Sequence, residues 1–247
     1  GVHSGGASGH VPSSFRIARK LLSLVEDENT GEILVDELHT KIPEHRLKET
    51  ETLVSILGDE VVQEFPWKND MKPSTNDKVE GVLRRTWRPA LSIVGSDGLP
   101  PTANAGNVLR PYTTLQLSMR IPPMVDAKKA RDAIKKKLTE SIPYEASVKL
   151  HFEEAADGWN APETSPWLIK AIEKASENYF DEKPCSISEG GTIPFMAMLG
   201  ERFPNAQFVI TGVLGPQSNA HGPNEFLHIP FAKKLTCCIS SIISDFK

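Results

Sequence analysis

The sequence predicts a two-part α/β protein: an α+β sandwich over residues 1–157, followed by an α/β segment over 158–247. Three observations point there. Apolar periodicities in the first part run helix, strand, strand, helix, strand, the pattern of an antiparallel sheet with helices on one face. After Trp159 helices alternate with short apolar runs, the pattern of parallel strands. Phe208–Val213 is apolar without a break, as a strand buried on both faces would be. A chain of 247 residues accommodates two modest domains, each with its own core.

Element by element, residues 1–11 are rich in Gly, Ser and His and predict a loop. Pro12-Ser13-Ser14 opens a helix on which Phe15, Ile17, Ala18, Leu21, Leu22, Leu24 and Val25 recur at helical spacing, and the acidic residues after Val25 end it. Thr30-Gly31 makes a turn before a short strand at Ile33–Val35. Residues 43–72 set Leu47, Leu53, Ile56, Leu57, Val61 and Val62 among many charges, which predicts one or two helices packed as an insertion on a domain edge, with a polar linker at 73–80. Strands return at Leu91–Val94 and Thr114–Ile121. In the second, Leu115, Leu117, Met119 and Ile121 face one way, and Thr114, Gln116, Ser118 and Arg120 the other. Pro122-Pro123 stops it, Asp126 caps an amphipathic helix at Ala127–Leu138, and Ser147–Glu153 alternates as a further strand. One strand is missing at the front of this set, and the chain opens on Gly1 rather than Met, so it is expected to be the later part of something longer. The second part reads as a helix at Pro166–Phe180 with Trp167, Leu168, Ala171, Ile172 and Ala175 inward, a strand at Ser186–Ser188, a helix at Thr192–Phe203, the strand Phe208–Val213 and a final helix at Ile229–Phe246.

Composition narrows the function. Lys and Arg number 28 against 32 Asp and Glu, a net charge of −4, so no broad basic surface for nucleic acid is implied. No run approaches the roughly 20 apolar residues of a membrane span, and no signal peptide opens the chain. Cys185, Cys237 and Cys238, an odd count with one adjacent pair, are no disulfide framework. They read as core thiols of a cytoplasmic protein, and no second Cys/His pair stands at the spacing of a structural metal site.

Four loops carry candidate chemistry. In His3-Ser4-Gly5-Gly6, glycines permit close backbone approach and His3 is either a donor to substrate or part of a loose terminal loop. Asn107, in Gly106-Asn107-Val108, and Arg120, at the end of its strand, would hold an amide or a carboxylate, the latter through the arginine fork; otherwise Arg120 is an ordinary arginine on a solvated sheet face. Glu189-Gly190-Gly191-Thr192 joins a strand end to a helix N-terminus, where free N–H groups point outward, and Glu189 would bind metal-bound water or an ammonium there; the other reading is a tight capping turn. The fourth loop, Gly215 to Glu225, follows the apolar run 208–213, beyond the carboxyl end of the predicted strand, where α/β sheets bind ligands. His221 there is placed to ligate a metal with Glu225 orienting it, or is an incidental histidine of a polar loop.

These four segments, in this order, resemble the aminoacylase/carboxypeptidase superfamily of co-catalytic zinc hydrolases, peptidase family M20, and within it the branch of carnosinase and cytosolic non-specific dipeptidase. The motifs Glu189 to Pro194 and Asn219-Ala220-His221-Gly222-Pro223-Asn224-Glu225 are the specific ones. The resemblance implies a ferredoxin-like lid, the dimerisation domain, over 1–157 with its insertion at about 43–72, and the C-terminal part of a zinc-binding catalytic domain over 158–247. It implies two zinc ions per site in the intact enzyme, with manganese possible, and a dipeptide or N-acyl amino-acid substrate. His221 would be the last metal ligand and Arg120 would grip the substrate carboxylate. His3 and Asn107 would reach into the partner's site of a homodimer and polarise the scissile carbonyl. Glu189 and the backbone of Gly190, Gly191 and Thr192 would line the substrate site.

The departures are as informative. The family's His-x-Asp segment, bridging Asp, Glu-Glu pair and further Asp have no counterpart here, and no histidine stands in Asn160 to Ser165, where a second substrate-site His often does. The expectation is therefore a metal-dependent dipeptidase- or carboxypeptidase-type hydrolase, inactive as this chain alone. The alternative is a non-catalytic dimerisation module derived from such an enzyme.

Overall fold

The computed structural model describes residues 1–188 and 194–246. The chain folds as two units: Gly1–Trp159 with Ile187–Pro194, and Asn160–Ser186 with Phe195–Lys247. No helix among the described residues is long and apolar enough to cross a membrane.

The first unit opens with a two-residue strand, β1 (Val2–His3), and a one-turn helix, α1 (Ser4–Ala7), where the sequence predicts only a loop. Helix α2 (Ser14–Leu22) starts where Ser13 Oγ accepts the Arg16 N–H at 3.2 Å and is shorter than the apolar stripe predicts. It ends at Leu22, and Val25, 1% exposed, belongs to the turn beyond it. The predicted strand at Ile33–Val35 is reduced to one bridge, Ile33 against Glu26, although Ile33 and Val35 are both buried. The charged insertion forms two helices, α3 (Glu44–Leu57) and α4 (Glu60–Gln63). Both pack on α5 (Lys78–Thr86), with Leu53, Val61 and Val82 as their shared core. Helix α5 takes up only residues 78–80 of the predicted linker 73–80, the rest being non-helical; Asp77 caps it, accepting from Val79 and Glu80 N–H at 2.9 and 3.1 Å.

Strand β2 (Ala90–Asp97) follows, then β3 (Val108–Leu109) and β4 (Thr114–Arg120). β2 pairs antiparallel with β4, from Ala90 against Arg120 to Asp97 against Thr114, with a bulge between Ile93 and Gly95. β1 pairs antiparallel with β3. Asp126 caps α6 (Ala127–Glu140) through the Lys129 N–H at 2.9 Å. Val25, Ile33, Val35, Leu38, Val125, Ala130 and Leu138 form the main core, against which Leu91, Met119 and Leu150 pack.

The second unit is built on α7 (Pro166–Phe180) against α9 (Ile229–Asp245), with α8 (Pro194–Arg202) between them in sequence. Leu168, Ala171 and Ala175 of α7 meet Cys238 and Ile242 of α9. Trp167, expected inward, is 38% exposed and rests on the Phe246 ring. Cys238 is a core thiol, its Sγ donating to Ala175 O, whereas Cys185 and Cys237 are exposed, against the expectation for all three.

The strands predicted at Ser147–Glu153, Ser186–Ser188 and Phe208–Val213 do not form ladders. An apolar run becomes a strand only by exchanging a ladder of hydrogen bonds with a neighbour, and among the described residues none of these runs belongs to a ladder. Ile210 is 56% and Val213 50% exposed, not buried on two faces. The parallel sheet expected for 158–247 is accordingly absent from the described residues.

Candidate functional site

His3 and Asn107, 104 positions apart in sequence, are joined by the β1–β3 ladder. His3 stands opposite Val108, and the Ser4 N–H donates to Asn107 O at 2.9 Å. Both side chains belong to exposed residues. The His3 ring is held from below, because its Nδ1 accepts the Gly5 N–H at 3.1 Å as the cap of α1. Ser14, the first residue of α2, ties the following loop down by contacts to Arg110 O at 3.2 Å and Thr113 Oγ1 at 2.8 Å.

Arg120 ends β4 opposite Ala90 and is exposed, with no ion pair among the described residues. It lines an open groove of about 1290 Å³ that follows β4, with α6 and residues 149–156 on its other sides. That volume exceeds the roughly 300–1,000 Å³ of a small-molecule pocket. β4 hydrogen-bonds only β2, so its other edge is unpaired among the described residues. Arg131, Lys149 and His151 add further basic groups to the groove wall, and Asp97, Glu153 and Glu154 acidic ones. A free guanidinium on such a wall can take a carboxylate through two parallel N–H bonds.

His221 lies in a loop braced by its own side chains. Asn219 Nδ2 donates to Pro223 O at 2.6 Å, and Ser218 Oγ donates to Leu214 O and Gly215 O at 2.8 and 2.9 Å. Glu225 accepts the backbone N–H of His221 at 2.5 Å. Glu225 thus does act on His221, but through the main chain and not through the imidazole. Gln217, Asn219, His221 and Asn224 all have left-handed backbones, with φ of 59°, 52°, 60° and 59°. Each such non-glycine residue is strained by about 1 kcal/mol or more, and strain of this kind collects at functional sites. A Cβ at Gly222 would come within 2.5 Å of Asn219 Nδ2, so a side chain there would displace the Asn219 brace. The density of Asn, Gly and Pro in 215–225 is the sequence signal of this shape; the bracing by Asn219 was not read from it.

The structure therefore joins His3 with Asn107 and gives Arg120 a place on a separate wall of the same unit, while His221 belongs to the second unit. The candidates Glu189, Gly190, Gly191 and Thr192 lie outside the described residues. No group of three or more His, Cys, Asp or Glu side chains able to hold a metal ion exists among the described residues. A zinc site takes at least three protein ligands, so a lone exposed imidazole at His221 does not fit a zinc ion by itself.

The family model described as Peptidase family M20/M25/M40 matches residues 14–245. The chain is 22% identical over 244 residues to a cysteinylglycine-S-conjugate dipeptidase of Corynebacterium striatum, an alignment covering 94% of this chain and 50% of that protein. The chain thus spans about half the length of the curated relative it matches. Among solved structures it is similar to human carnosine dipeptidase 1, at TM-score 0.69 and 18% identity over 99% of this chain and 51% of that one. It is likewise similar to the di-peptidase Dug1p of Saccharomyces cerevisiae, at TM-score 0.70 and 20% identity over 99% and 51%. A third likeness is to an M20 family metallo-carboxypeptidase of Sulfolobus solfataricus, at TM-score 0.68 and 19% identity over 98% and 54%. These likenesses establish a mixed α/β fold of the kind found in such peptidases. With a family match over nearly its whole length, the chain belongs to peptidase family M20/M25/M40.

Proposed function

We propose that the chain supplies the substrate-gripping lid and the closing part of the catalytic domain of a metal-dependent dipeptidase acting in the cytoplasm. Residues 1–157 are read as a ferredoxin-like dimerisation lid with its insertion at about 43–72, and 158–247 as the end of the zinc-hydrolase domain. The observation that supports this most is the β1–β3 pairing, which brings His3 and Asn107 to neighbouring register positions. On this reading the His3 imidazole N–H and the Asn107 carboxamide N–H, carried by neighbouring stretches of chain, both serve the substrate carbonyl. Donors aimed at an oxygen that gains charge in the transition state lower the barrier to amide cleavage. Arg120 takes the C-terminal carboxylate of the dipeptide, and the Glu189–Thr192 segment lines the remainder of its site.

The reading assigns Arg120 to the site of its own chain and His3 with Asn107 to that of the neighbour, in a homodimer joined through the lids. The cofactor is two zinc ions, with manganese as a substitute. His221 contributes one ligand, and the reading requires the others to come from residues beyond these 247.

A panel of dipeptides assayed with the enzyme as its gene encodes it, with zinc or manganese added, tests the reading. Hydrolysis is expected, with kcat falling on Asn107→Ala; no hydrolysis of any dipeptide rejects it. The 247-residue chain alone is expected to give no turnover. Metal-dependent turnover by the chain alone, abolished by His221→Ala, would overturn the need for outside ligands.

A further inference from the structure

We infer that Gly5 is a positioning residue for His3: its backbone N–H and its lack of a side chain hold the imidazole as the tautomer that presents Nε2–H. The inference rests on the proposed role of His3 as a donor to the substrate carbonyl, and it names the atom that donates.

A neutral imidazole has one N–H and one lone-pair nitrogen, and which is which is set by the hydrogen bond that the other nitrogen makes. In this chain the Gly5 N–H points at His3 Nδ1 from 3.1 Å. An N–H donor facing Nδ1 requires that nitrogen to be the acceptor, which puts the ring proton on Nε2. The opposite tautomer would set two N–H groups against each other at Nδ1. It would also turn a lone pair at Nε2 toward any carbonyl oxygen presented there.

Gly5 acts by shape as well. A Cβ at this position would lie 3.0 Å from His3 Cε1 and 3.1 Å from Nδ1, so the ring rests directly against the glycine. A side chain would push the ring off the N–H by a few tenths of an ångström. The platform beneath it is anchored on both sides. The His3 backbone is paired with Val108, and α1 is pinned by the buried Ala7, whose carbonyl accepts the Val11 N–H at 2.9 Å. Gly6, one residue on, differs: a Cβ there meets nothing within 4 Å. Two consecutive glycines thus have separate parts, and only the first touches the imidazole.

The test is nitrogen NMR of the ¹⁵N-labelled 247-residue chain at a pH well above the usual imidazole range, which needs no metal, substrate or turnover. The expected result is a His3 ring protonated at Nε2 alone, with a scalar coupling across the hydrogen bond between the Gly5 amide nitrogen and Nδ1. Gly5→Ala should abolish the coupling and give a mixture of tautomers, while Gly6→Ala should leave both signatures as they are. A wild-type ring protonated at Nδ1, or one without the coupling, overturns the inference, as does a Gly5→Ala spectrum unchanged from wild type. These outcomes are independent of the dipeptide assay, so the inference and the proposed function fail separately.

Discussion

At Arg120 the guanidinium lies exposed at the end of β4, with no ion pair among the described residues to lose, so its removal should cost the fold little. The proposed grip of Arg120 on a substrate carboxylate predicts a different outcome for activity. A hydrogen bond to a charged group contributes about 1.5–3 kcal/mol, so Arg120→Ala should lower kcat/KM for dipeptides by about 10- to 100-fold. Thermal melts and steady-state kinetics on the same variant check both halves, and a large drop in Tm with normal kinetics would mean that Arg120 is structural. Cys238 is the contrasting residue. Burial raises its thiol above the ordinary value, with Cys237 beside it as a second cause, and it packs as an apolar group.

At the scale of elements, helix caps decide where structure begins. Asp77 satisfies two free N–H groups at the start of α5, on which α3 and α4 pack. Asp77→Ala should therefore destabilise the first unit by about 1 kcal/mol, read as a shift in denaturant midpoint; no shift would show that packing alone holds α5. Asp126 adds a pH dependence. The Lys129 N–H holds its carboxyl below the ordinary value of 3.8. A group with a lowered folded-state value contributes stability above its unfolded value and loses it as pH falls through the folded one. The Tm advantage of the wild type over Asp126→Asn, which keeps a neutral cap, should be full near pH 6 and shrink below about pH 4. A difference that stays constant down to pH 2 would assign the cap no ionic component.

At the scale of the whole molecule, the edge of β4 that is unpaired among the described residues and the exposed residues of α2, Phe15 among them, leave apolar and hydrogen-bonding surface open in the first unit. A two-fold contact would answer both needs with one patch on each copy. If His3 serves the neighbouring site, two inactive variants of the gene-encoded enzyme, one with His3→Ala and one with His221→Ala, should complement each other. In a mixed dimer, one of the two sites then has both residues intact. About a quarter of wild-type activity is expected after random subunit exchange, since half the dimers are mixed and each carries one working site. No recovery, with exchange verified by mass, would mean that each chain completes its own site.

Local chemistry made much of this legible in advance. Pro166–Phe180 and Ile229 onward announced themselves as helices through periodicity. Asp126 marked the start of α6, and alternation marked β4, because period and cap are properties of a few adjacent residues. The cap at Asp77, with Val79, Val82, Leu83 and Trp87 following at helical spacing, was equally legible, but the polar residues before it drew the reading of linker on to residue 80. The site motifs were legible as residue types in order, not as an arrangement. The meeting of His3 with Asn107 depends on a two-residue ladder across 104 positions, which no local pattern encodes. The strandless state of Phe208–Val213 was hidden for the same reason, since an apolar run states a propensity to pair and only a neighbour in space turns it into a strand. Sequence by itself therefore determined the longer periodic helices, the Asp126 cap, the family and the inventory of reactive groups. Tertiary structure decided which strands pair, because a ladder rests on hydrogen bonds between residues far apart in the chain that only folding brings together.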